Sequence, residues 1–126
     1  MDLKVKDIVT AHYKTGKYIG EITNEGEQTY LVKVLAVLKH PNQGDLHHPK
    51  EADVMLFHTR RALAFREQMN VPKKLVKPFK EEVPDYIESL QSSVNELKEQ
   101  LSKENSEWHQ KSLKAINELE ADYFQQ

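Results

Sequence analysis

The chain contains no cysteine, which removes disulfides, thiol nucleophiles and thiolate metal sites from consideration. It also fits a reducing compartment. No apolar run approaches the roughly 20 residues that a membrane span needs. The stretch from Met1 to Asp7 lacks the apolar core of a signal peptide. A cytoplasmic protein is the expectation. Catalytic signatures are missing as well: no serine sits in a nucleophile elbow, and no acidic pair stands out as general acid and base. Gly16-Lys17 has the last glycine and lysine of a phosphate loop, but Ala11 stands where the first glycine is required and Tyr18 replaces the serine or threonine. The chain reads as a non-enzyme without a cofactor.

What is present suits a folded, well-solvated protein. The 126 residues are one domain's worth, with 38% hydrophobic and 30% charged residues. The net charge of -2 conceals an asymmetry. Residues 1–80 carry 14 Lys/Arg against 9 Asp/Glu, whereas residues 81–126 carry 4 against 11. The favoured account is that the two parts attract each other and dock.

The stretch Gln28–Leu38 is the organising element. Its three valines, tyrosine and single charge favour a half-buried pleated surface, so it reads as the central strand of a small sheet. Lys6–Tyr13 and Lys17–Thr23 are also strand-like, joined by a short hairpin loop at Lys14-Thr15-Gly16. Gly20 marks a bulge or bend in the second strand, and Asn24–Glu27 form the next turn. A meander of this kind curls toward a small barrel. His40–Ala52 reads as a loop, Asp53–Phe57 as a fourth strand, and His58–Gln68 as a strand that closes the barrel. Val71-Pro72 is expected to break regular structure, with one helical turn within Lys73–Phe79 ahead of Pro78.

The last third is helical. From Pro84, placed for a helix's first turn, Ile87, Leu90, Val94, Leu97 and Leu101 recur at helical spacing. After a polar break, with Asn105 or Ser106 as N-cap, a second stripe runs Trp108, Ser112, Ile116, Leu119 and Tyr123, with Leu113 at its side. The fold expected is α+β: a small antiparallel SH3-like β-barrel over residues 1–80, then an antiparallel helical hairpin over 81–126 packed on it. A homodimer through the helical stripe is the weaker use of the same face, because it spans too few heptads.

Four of the six histidines, His40, His47, His48 and His58, lie close to Asp45 and Asp53. No metal-ligand spacing is present, so these read as loop histidines and no metal is assigned. Arg60, Arg61 and Arg66, then Lys73, Lys74, Lys77 and Lys80, form two basic groups near Phe65 and Phe79. Pairing with Glu81, Glu82, Asp85 and Glu88 is preferred for them; a nucleic-acid-binding barrel is the alternative.

Long strings in the chain resemble the kinase-associated protein B family of spore-forming Bacillus-type bacteria. They include Tyr13–Glu21, Val34–Pro41, Gln43–His47, Arg60–Gln68 with Asn70-Val71-Pro72, and Pro84-Asp85-Tyr86 ahead of Glu88-Ser89-Leu90. The resemblance implies an SH3-type barrel followed by a helical hairpin. It also implies a regulatory role in sporulation initiation, in support of a membrane sensor histidine kinase that feeds a phosphorelay. That family has no assigned catalytic residues. It is sometimes described as a lipoprotein, whereas this chain has no cysteine to lipidate. Membrane contact is therefore expected only indirectly, by recruitment to the inner face through a kinase. The candidate partner-binding residues are His40, Asn42, Asp45, His47, Arg60, Arg61 and Arg66, in the turn-rich loop and the arginine segment, where binding residues usually sit.

Overall fold

The computed structural model describes residues 3–44, 57 and 59–125. Five strands, β1 (Ile8–Tyr13), β2 (Gly16–Glu25), β3 (Thr29–Lys39), β4 (Gln68–Pro72) and β5 (Val76–Pro78), form one antiparallel sheet in the order β4-β3-β2-β1-β5. Two helices, α1 (Tyr86–Leu101) and α2 (Glu107–Tyr123), follow. β3 is central in function if not in position: it pairs with β2 along one side and β4 along the other, and α1 packs against it. Alternation explains the burial. Tyr30, Val32, Val34 and Ala36 turn inward, and the residues between them stay partly solvated.

The register of β2 slips against β3 between Ile19 and Gly20, where the sequence places a bend. A Cβ on Gly20 would lie 2.5 Å from both the Lys33 carbonyl oxygen and Val32 Cγ1. Only glycine lets the two backbones approach that closely.

The expected closed barrel is corrected to an open, curled sheet. β4 and β5 lie at opposite edges, and the chain steps between them through a single 3-10 turn, Lys73–Leu75. That turn falls within the segment where the sequence places one. Residues 59–67 form no strand, contrary to the reading of His58–Gln68. Arg66 adopts φ 72°, outside strand geometry, and Glu67 N–H bonds back to the Ala64 carbonyl, so the chain turns here. The ladder with β3 starts at Gln68, led in by the bonds of Val34 to Arg66 and Glu67. Val71-Pro72, expected to end regular structure, are the last residues of β4; β4 is an edge strand and Pro72 its final residue, where a missing N–H costs little. The fourth strand read at Asp53–Phe57 lies outside the described residues except for Phe57.

Both helices start at side-chain caps. Asp85 accepts from Glu88 N–H at 3.1 Å, and Ser106 accepts from His109 N–H at 3.2 Å. Leu90, Val94, Leu97 and Leu101 of α1 join Trp108, Ile116 and Leu119 of α2 and the inner face of the sheet in one core cluster. Ile87 departs from the expected stripe: it is 52% exposed. It lines a recess at the helix ends with Leu63, Leu90 and Tyr123 instead of packing on the sheet. Ser89 takes the inward place, and its hydroxyl accepts from Val37 N–H of β3 at 2.9 Å.

Charge contributes little to joining the two parts. Among the described residues, Arg61–Asp122 is the ion pair that links residues 1–80 to 81–126. Lys73 pairs with Glu25, not with the acidic residues ahead of α1. A seam held by about 0–1 kcal/mol per exposed pair cannot compete with a shared apolar core.

Candidate functional site

Residues 59–67 form an irregular strap across the end of the molecule. Side chains from distant elements bond to its backbone. Gln43, 4% exposed, faces Arg60 with both ends of its amide: Arg60 N–H donates to Gln43 Oε1 at 2.8 Å, and Gln43 Nε2 donates to the Arg60 carbonyl at 2.9 Å. The amide thereby imitates a strand's backbone pair and joins the turn-rich loop to the arginine segment.

Three tyrosines complete the anchoring. Ala62 N–H donates to Tyr123 Oη at 2.8 Å, and Leu63 N–H donates to Tyr18 Oη at 3.3 Å. Tyr86 Oη donates to the Leu63 carbonyl at 2.6 Å. Burial pushes the Tyr18 and Tyr86 phenols up to about 12 and raises Tyr123 as well, so all three stay neutral. Tyr18 comes from the sheet and the other two from α1 and α2, so the strap is bound to both layers.

His40, 1% exposed, extends this network inward. Its Nδ1 lies 2.9 Å from the Pro41 carbonyl and its Nε2 lies 2.9 Å from Tyr123 Oη. A carbonyl only accepts, so Nδ1 carries the proton and Nε2 accepts from the Tyr123 hydroxyl. Burial lowers the His40 pKa, which keeps this neutral tautomer.

The arginines differ in what they leave free. Arg60 Nε donates to the Gly44 carbonyl at 3.1 Å. Arg61 donates to Asp122 and lies over the Tyr123 ring, 5.0 Å from its centroid. The hydrogen bond to Asp122 raises the Arg61 pKa. Arg66 is exposed, its backbone N–H bonded to the Val34 carbonyl at 2.7 Å. Asn42 N–H donates to Thr15 Oγ1 at 2.9 Å, which ties the loop to the β1–β2 turn.

Of the residues singled out in the sequence, His40, Asn42, Arg60 and Arg61 are thus brought together at one end, with Arg66 at the far end of the strap. Asp45 and His47 lie outside the described residues. His40 acts through the fold, because its ring has no exposed surface to offer. Sequence reasoning missed Gln43, Tyr18, Tyr86 and Tyr123. Their signal is chemical: large amphipathic side chains with one polar atom, placed where an irregular segment must satisfy its backbone. Among the described residues no group of three or more His, Asp or Glu is placed to hold a metal ion.

Gly44, at φ 101°, ends the described part of the loop. A Cβ there would lie 3.1 Å from the Phe57 ring and 3.4 Å from Trp108 Nε1, so the loop's two ends meet against α2. No helix among the described residues is long and apolar enough to cross a membrane.

The chain is similar to known proteins along nearly all of its length. The protein described as kinase-associated lipoprotein B of Bacillus subtilis strain 168 is 56% identical over 117 residues, covering 93% of this chain and 91% of that one. A crystal structure of kinase-associated protein B from Bacillus cereus is 43% identical, with a TM-score of 0.83 over 97% of this chain and 98% of the other. The profile of the family described as Kinase associated protein B matches residues 13–124, an extent that takes in the strap, all three tyrosines and His40. The chain belongs to the kinase-associated protein B family.

Proposed function

We propose that this protein is a non-enzymatic regulatory protein that associates with a sensor histidine kinase and supports it during the initiation of sporulation, upstream of a phosphorelay. It works in the cytoplasm and reaches the inner face of the membrane through the kinase. In this reading the curled sheet, with its single 3-10 turn before the last strand, is an SH3-like barrel left open at one seam, and the two helices form an antiparallel lid. The names of the relatives support a kinase as partner in general.

The observation that carries the contact surface is the strap. Its backbone is held by Gln43 and three tyrosines, yet Phe65 is 54% exposed, Arg61 and Arg66 are exposed, and Arg61 shares a recess with Ile87, itself 52% exposed. An aromatic residue and arginines on a rigid support have the composition of an interface hot spot, because little side-chain or loop ordering remains to oppose binding. The test is co-purification with the kinase, using Phe65→Asp, Arg66→Glu and Arg61→Ala variants with unchanged thermal midpoints. Loss of the kinase from the first two is the expected result. Retention by all three rejects this surface.

A further inference from the structure

A recess of about 240 Å³ opens beside the strap, between the β1–β2 turn and the first strap residues. Tyr13, Tyr18, Pro41 and Leu63 supply its apolar walls; Lys14, Thr15, Thr59, Arg60 and Arg61 supply the rest of its lining. Among the described residues no carboxylate lines it.

The hydrogen-bond inventory of the lining is one-sided. Tyr18 is only 1% exposed, and its hydroxyl accepts from Leu63 N–H, yet its own proton has no acceptor among the described residues. Thr15 Oγ1 accepts from Asn42 N–H and likewise keeps its proton to donate. Arg60 commits Nε to Gly44 and leaves its two Nη groups without a partner among the described residues. Arg61 uses one Nη on Asp122. Among the described residues Lys14 Nζ has only the Tyr13 ring, at 5.5 Å. Lys14 also holds φ 54°, a left-handed conformation that costs a lysine about 1 kcal/mol, and so projects its charge from the turn. Cations that can only donate, beside hydroxyls whose protons are still to be placed, favour a ligand rich in acceptors.

We propose that this recess binds a phosphate monoester carried on a small aromatic or apolar body. Five donor side chains exceed the roughly four lone-pair sites on a carboxylate's two oxygens, whereas a phosphoryl dianion offers more such sites on three oxygens and matches the charge of Lys14 and Arg60. The volume sits just below that of ordinary small-molecule pockets, so the body is no larger than one ring. The ring rests against Tyr13, Leu63 and Pro41, and the phosphoryl group meets Tyr18 Oη, Thr15 Oγ1 and the cations. The recess shares Arg61 with the proposed kinase-contact surface, whereas Lys14, Thr15 and Arg60 belong to the recess alone, so variants at those positions test it separately.

Phenyl phosphate is the probe, with benzoate and phenol in parallel, titrated into the full chain and followed by amide chemical shifts. Phenyl phosphate is expected to give saturable shifts centred on Lys14, Thr15, Arg60 and Arg61, with benzoate about tenfold weaker and phenol silent. Equal binding of benzoate would overturn the phosphate assignment; absence of saturable shifts with either anion, or shifts confined to Lys73–Lys80, would overturn the site. Lys14→Asn removes a cation while suiting the left-handed turn, so it should weaken phenyl phosphate at undiminished thermal stability. Undiminished affinity in both Lys14→Asn and Arg60→Met would also reject the proposal.

Discussion

His40 and Tyr123, 83 positions apart, share a 2.9 Å hydrogen bond that joins the loop after the central strand to the last turn of the final helix. The Tyr123 hydroxyl receives Ala62 N–H and passes its own proton toward His40 Nε2, so one phenol ties together three segments. Replacing it with phenylalanine strands a buried imidazole nitrogen and a backbone N–H. Tyr123→Phe should therefore destabilise the protein by about 2–3 kcal/mol, against about 1–2 kcal/mol for Tyr86→Phe, which strands one carbonyl. Urea unfolding of the two variants checks the order.

The burial of His40 makes stability depend on pH. The folded state lowers the pKa of His40 below its ordinary 6.5, so below that pH the unfolded chain takes up a proton that the native state resists. The native state is then penalised: this contribution is complete above pH 6.5 and declines as pH falls, by up to about 1.4 kcal/mol per unit until the folded pKa is passed. Unfolding free energies measured from pH 7 downward should show this slope in the natural chain. A His40→Gln variant, though less stable overall, should lack it between pH 6.5 and about 5, where most carboxylates remain charged.

Two glycines should respond very differently to the same substitution. Gly20→Ala forces a methyl within 2.5 Å of a backbone oxygen and should cost about 1–3 kcal/mol or more as β2 and β3 separate. Gly26→Ala meets Thr29 Oγ1 at 3.4 Å, ordinary contact, and should stay within about 0.5 kcal/mol of neutral. Thermal midpoints of the pair would decide between close backbone approach and general loss of glycine flexibility.

Core and charge can be weighed directly in the helices. Ile116 is fully buried, so Ile116→Ala should cost about 2–5 kcal/mol. Lys98 and Glu120 lie 2.8 Å apart but about one third and one quarter exposed. The Lys98 bond lowers the Glu120 pKa, yet solvent screening should hold the coupling in a double-mutant cycle to under about 1 kcal/mol. A coupling larger than the Ile116 effect would reverse this ranking.

The elements legible in the sequence are those with local periodicity. β1, β2, β3 and both helices announce themselves by alternation, helical spacing and caps, because a solvent boundary runs along each of them. Gly20 was legible for a similar reason, as a missing side chain within a strand. The strap was not. Its alternating Leu63 and Phe65 mimic a strand, but its path is dictated by Tyr18, Tyr86 and Tyr123, whose positions relative to it exist only after folding. Ile87 misled in another way: its spacing is right, but the spacing does not say where along a helix the packed surface ends. The candidate site suffered most, since arginines and histidines suggest contact whether or not they are buried, and His40 proves to be interior.

Gly44 and Phe57 touch where the intervening segment departs and returns. Because these two residues are already adjacent, neither needs to move when the length of chain joining them is changed. That juncture is where an epitope or a fluorescent reporter could be spliced in with the least disturbance to the strap beside it, and where natural variation in length would be cheapest to accommodate.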